Sequence, residues 1–166
     1  MGWARPPTLA RNCAGYDRVL VRRPLAALIA CVALAACSQE DESTPTGCLA
    51  GEDEVLAALG SAPGRVSVEG TPLSECLSDT TDGGELQEVG AAYVEAASRL
   101  ADRAAADPEG DAALQLGYLL GAVKRSEAGT QGVGYELGRR LAAEAARVEE
   151  GSEAFERGRR AGTSGG

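Results

Sequence analysis

The sequence predicts an all-α domain: a small helical bundle of three long helices, preceded by short N-terminal helices and closed by one disulfide. Two observations lead there. From residue 85 onward apolar residues recur at spacings of three and four, the period of a helix with one buried face. The chain has 166 residues, enough for one domain. With aromatic residues at only 4%, its core must be built from Leu, Val and Ala.

The N-terminus comes first and is not part of that domain. Arg18, Arg22 and Arg23 form a positive region, followed by Leu25 to Ala36 (LAALIACVALAA), which carries no charge. As a helix this run would be about 18 Å long. That is too short to cross a hydrocarbon core of roughly 30 Å. Positive charges, a short apolar run and a small-residue end make a secretory signal, covering residues 1–36. Residues 1–20 contain Pro6 and Pro7 and lengthen the signal; translation is expected to begin at Val19 or Val21.

The run ends in Leu34-Ala35-Ala36-Cys37. This resembles the lipobox of bacterial lipoproteins, Leu-Ala-(Gly/Ala)-Cys. The resemblance covers the signal and says nothing of the domain behind it. It implies that the Cys37 thiol takes a diacylglyceryl group and that cleavage follows Ala36. It also implies a partner, the lipid bilayer, reached through the acyl chains. The location would be the cell membrane or outer envelope, on the extracytoplasmic side. Two acyl chains give stable anchoring where one is marginal.

With Cys13 and Cys31 in the removed segment and Cys37 lipidated, Cys48 and Cys76 remain for an oxidising compartment. They are expected to form a structural disulfide. Chain entropy assigns such a loop about 3.5 kcal/mol. A redox-active pair would be expected as Cys-x-x-Cys instead.

Residues 37–47 (CSQEDESTPTG) are polar and acidic and predict a flexible tether. The helical domain is expected over 48–150. Glu52 to Leu59 reads as a short helix with acids in its first turn, ended by Gly60. Arg65 to Glu69 alternates like a short strand. Thr71-Pro72 reads as an N-cap and first helical residue, with Leu73, Cys76 and Leu77 on one inward face. Ser78 to Gly84 lacks calcium-loop spacing and reads as a turn and N-cap.

The three long helices are expected at 85–106, 111–127 and 130–149. The first carries the stripe Leu86, Val89, Tyr93, Ala96, Leu100 and Ala104, and Asp107-Pro108 ends it. The second, apolar nearly all round from Leu114 to Val123, should be the central buried helix. The third buries Leu137, Leu141, Ala145 and Val148. Gly117 and Gly121 on the second helix, with Gly134 and Gly138 on the third, predict a close glycine-on-glycine crossing. Residues 151–166 are expected to be a frayed helix and disordered tail. Within them, FERGRR at 155–160 echoes YELGRR at 135–140.

Composition narrows function by exclusion. The chain has no His, which removes Ser-His-Asp and Cys-His catalysis and His-based metal sites. Removing the signal takes away five Arg and one Asp and leaves 11 basic against 24 acidic residues, a balance of −13. So acidic a chain is no nucleic-acid binder. No catalytic residue, metal site or cofactor is expected. The reading is a membrane-anchored extracytoplasmic lipoprotein with a non-catalytic helical domain that binds or scaffolds an envelope protein or ligand. The alternatives are a carrier of a small apolar ligand between the Gly-rich helices and a carboxylate-dependent hydrolase.

Overall fold

Local sequence sets where each helix starts and stops. The computed structural model describes residues 43–127, 132–148 and 152–166. The signal region, Cys37, most of the tether and both ends of the expected third helix lie outside the described residues. A 3₁₀ turn, Thr46–Leu49, leads into α1, Glu52–Leu59, whose first turn holds Glu52, Asp53 and Glu54. The strands β1, Ser67–Val68, and β2, Thr71–Pro72, pair antiparallel about Glu69-Gly70. Both turn residues have positive φ, the condition of the hairpin turns that follow strand twist. This supplies the partner strand that the sequence had not shown. It also moves Pro72 from the first helical position to the N-cap of α2, Leu73–Ser78.

The long helices follow the periodicity. The N-cap Asp82 of α3, Gly83–Ala106, accepts hydrogen bonds from the Gly84 and Glu85 amides at 2.8 and 3.0 Å. Val89, Tyr93, Ala96, Leu100 and Ala104 are buried as the stripe predicts, and Leu86 is half-buried. Next come α4, Asp111–Ser126, and α5, Val133–Ala145. The core centres on α4, which touches every other α-helix of the described residues. Its Leu116, Tyr118, Leu119, Ala122 and Val123 are fully shielded from water.

The largest correction is at the C-terminal end. Residues 153–165 are neither frayed nor disordered; they form α6, Glu153–Gly165, packed along α4 in the most extensive helix contact of the fold. The two helices run parallel, with Leu114 beside Gly158, Tyr118 beside Gly162 and Ala122 beside Gly166. A Cβ on Gly117 would overlap the Phe155 carbonyl and lie 2.9 Å from the Arg159 nitrogen. A Cβ on Gly121 would lie 2.7 Å from the Thr163 nitrogen; one on Gly158, 2.9 Å from the Tyr118 nitrogen; one on Gly162, 3.0 Å from the Ala122 nitrogen. The expected glycine crossing therefore exists, with a different partner. Gly117 and Gly121 lie against the α6 backbone around Gly158 and Gly162, and not against Gly138. On α5, Gly138 faces, among the described residues, the Glu127 and Val123 side chains of α4 and its flank rather than a helix backbone.

A 13-residue helix so poor in large apolar residues is marginal alone. Its ends show how it is held. The Ser152 hydroxyl accepts from the Phe155 amide at 3.1 Å and donates to the Pro108 carbonyl at 2.6 Å. The Glu109 carboxylate accepts from the Glu153 and Ala154 amides at 2.9 and 3.1 Å, capping α6 from the α3–α4 loop. At the other end Arg125 donates to the Thr163 and Ser164 carbonyls at 3.3 and 3.2 Å. Both polar ends are thus satisfied by groups next to α4.

The N-terminal segment is fastened to the long helices at separate points. Cys48 and Cys76 form the disulfide, with Cα atoms 5.4 Å apart. The buried Tyr93 hydroxyl donates to the Leu73 carbonyl at 2.7 Å, and burial pushes that phenol's pKa upward. The Val66 amide donates to the Tyr118 hydroxyl at 3.3 Å. The Ser74 hydroxyl donates to the Gly166 carbonyl. The expected tether is also shorter than 37–47. Thr44 is buried and donates to Glu85, and Gly47 sits against the Glu69 side chain. The packed domain begins at Thr44 rather than Cys48, because these polar residues find partners at the first turn of α3 and the hairpin.

Two outcomes are expected from this architecture. Gly158→Ala forces α4 and α6 apart and should cost about 3 kcal/mol. Gly90→Ala, where an added Cβ meets nothing within 4 Å, should gain about 1 kcal/mol. Urea denaturation of both variants measures this, and equal midpoints would contradict it. Reduction of Cys48–Cys76 should expose amides of residues 48–80 to hydrogen exchange before those of α3 and α4, since the long helices bury their stripes against one another.

Candidate functional site

A groove lies between α3 and α5. The two helices run parallel: residues 133–140 of α5 share the groove's lining with residues 83–95 of α3, and farther along Arg147 reaches the Ser98 carbonyl at 3.1 Å and the Asp102 carboxylate at 2.5 Å. Their facing surfaces enclose about 550 Å³, within the usual range for ligand sites. Leu86, Val94, Val133 and Leu137 line the groove with apolar surface, Gly90 and Ala91 with small residues, and Glu95, Glu136 and Arg140 with charge. Val133 is 47% exposed and the neighbouring Tyr135 67%. These are the large apolar residues that the described fold leaves in water.

Helical spacing explains the charged lining. Glu136, Arg139 and Arg140 stand three and four residues apart on α5. The Glu136 carboxylate accepts from Arg139 at 2.8 Å and from Arg140 at 3.0 Å. Those two hydrogen bonds lower its pKa to about 2 from the ordinary 4.5. A carboxylic acid catalyst needs the opposite shift. Across the groove Glu95 has no ion pair among the described residues, and neither has Glu88, about two turns earlier on α3. Among the described residues no three Cys, Asp or Glu side chains are grouped to hold a metal ion.

The sequence-derived site residues stand in other places. Cys37 lies outside the described residues. Cys48 and Cys76 are joined, buried and away from the groove. Gly117 and Gly121 are closed over by α6, so the space beside them, where the carrier alternative would put an apolar ligand, is filled by backbone. Gly134 is buried on α5 and Gly138 half-buried. The groove itself was not anticipated. Its signals were present: Gly90 interrupts an otherwise good helix, and Val133 and Tyr135 are large residues off the buried stripe of α5.

No protein-family model matches the chain, and neither a curated protein nor a solved structure matches it. The groove must therefore be read from its own chemistry.

Glu136 should titrate near pH 2 at low salt and rise toward its ordinary value as salt screens the two guanidinium groups. Because its folded pKa is depressed, its contribution to stability is full above about 4.5 and is lost as pH falls toward about 2. Carboxylate NMR titration checks the first statement. Comparing Glu136→Gln with wild type across that pH window checks the second.

Proposed function

We propose that this chain is an extracytoplasmic lipoprotein, held to a membrane by acyl chains on Cys37, whose small helical domain binds rather than catalyses. The observation that carries the anchor is the order of three sequence signals: Arg22-Arg23, the apolar run Leu25 to Ala36, and Leu34-Ala35-Ala36-Cys37 at its end. The disulfide between Cys48 and Cys76 supports the compartment, since such bonds persist where the surroundings are oxidising.

The non-catalytic half of the reading rests on side-chain chemistry. The chain has no imidazole to act as base or ligand. Glu136, the groove carboxylate with the strongest contacts, is locked in its ionised form by two arginines. What the α3–α5 groove offers is shape, apolar surface and charge, which are the ingredients of recognition. A domain with a balance of −13 after signal removal is repelled by anionic headgroups, so acyl chains would carry the attachment and leave the domain facing outward.

Expression in a bacterial host with labelled fatty acid tests the anchor. Label should enter the wild-type chain, which should sediment with membranes, and should be absent from Cys37→Ala. Label in Cys37→Ala, or none in wild type, would remove the lipoprotein assignment.

A further inference from the structure

We propose that the α3–α5 groove is a docking site for an amphipathic helix of a partner protein, with an apolar stripe flanked by basic residues. This deepens the binding reading above and rests on it only in treating the groove as the domain's working surface.

The first observation is Gly90. A glycine in mid-helix weakens the helix, and the four glycines of the α4–α6 crossing offset that by admitting a neighbouring backbone. Among the described residues Gly90 admits nothing: a Cβ there would meet none of their atoms within 4 Å. It lines the groove beside Ala91, one turn from each of the larger Leu86 and Val94. The missing side chain leaves a low point open to the outside, where an incoming helix can bring its own backbone close.

The second observation is the shape. Two parallel helices side by side form a long trough, and a third helix fills such a trough with anchors at i, i+3, i+4 and i+7. Leu86, Val94, Val133 and Leu137 are spread along both helices, which suits a row of anchors better than one compact ligand.

Charge selects the occupant. From Gly83 to Ser98 helix α3 carries Glu85, Glu88 and Glu95 and no basic residue. Glu85 is engaged by Thr44, whereas Glu88 and Glu95 have no ion pair among the described residues. On the α5 side Arg139 and Arg140 are both turned onto Glu136. Two guanidinium groups there share one carboxylate, which leaves one positive charge on the α5 side against the two unpaired carboxylates Glu88 and Glu95 of α3, so the acidic excess is on the α3 side, in a chain of net charge −9. Basic residues flanking an apolar stripe are drawn to this side, and a second copy of the acidic chain is repelled.

The full-length Cys37→Ala chain, which carries no lipid, separates this proposal from the anchor assignment. It is titrated with a labelled synthetic helix of about five turns bearing a leucine stripe and lysine flanks. Companion titrations use the same peptide with glutamate for lysine, and palmitate. The lysine peptide should bind and shift the NMR signals of Gly90, Val94 and Leu137. Gly90→Leu puts a side chain into the trough at a position where the Cβ meets no described atom within 4 Å, and should weaken binding at least tenfold while the protein stays folded. Glu95→Lys should weaken it several-fold and flatten its salt dependence. No binding, equal binding of the glutamate peptide, or an unaffected Gly90→Leu would overturn the proposal. Groove shifts with palmitate but not with peptide would assign the site to a small amphiphile instead. Self-association abolished by Gly90→Leu would assign it to a second copy.

Discussion

Helices α4 and α6 touch backbone to backbone, and the rest of the domain is arranged around that contact. Four glycines make it possible, two on each helix and one turn apart. With side chains removed from the seam, carbonyl and amide groups of one helix lie against those of the other. Such approaches gain dispersion and weak Cα–H···O contacts in place of large apolar area. That explains how a helix with so little apolar surface packs as tightly as any in the fold. The ends then need satisfying, and Ser152, Glu109 and Arg125 do so from residues beside α4.

Other features depend on this seam. Occupying one side of α4 with α6 leaves α1, α2, α3 and α5 to cover the rest of it, with α3 and α5 parallel to each other. An apolar trough remains between their outer faces. The Gly166 carbonyl also accepts from Ser74, so the C-terminal helix helps to seat α2, which carries Cys76. The disulfide, the two buried tyrosines and this contact fix a segment whose own elements are only two to eight residues long. Such elements have no stability of their own and take it from what they are tied to.

Much of the fold was legible because it follows period and punctuation. The stripe from Val89 to Ala104, the apolar run of α4, the short helix ending at Gly60 and the pairing of Cys48 with Cys76 each have a local signal. The misreadings share a cause. Apolar periodicity detects helices that bury Leu and Val, and α6 buries Ala154, Gly158 and Gly162. Its signal was the glycine spacing, which matches that of Gly117 and Gly121 as well as Gly134 and Gly138 do. Spacing alone does not choose between two candidate partners. The choice falls to α6 because its whole inner face is small, whereas the α5 face also carries Leu137 and Leu141. The β-hairpin was hidden because its second strand contains a proline. The groove was hidden because it is made of what two helices leave uncovered, a property of their placement.

Native-state hydrogen exchange tests the central claim, that the glycine seam makes α6 part of the cooperative core. Amides of Arg159, Gly162 and Thr163 should exchange with the same free energy as those of Tyr118 and Ala122 in α4, equal to that of global unfolding. Fast exchange through α6 while α4 stays protected would contradict it, and would return residues 153–165 to the status of a frayed extension.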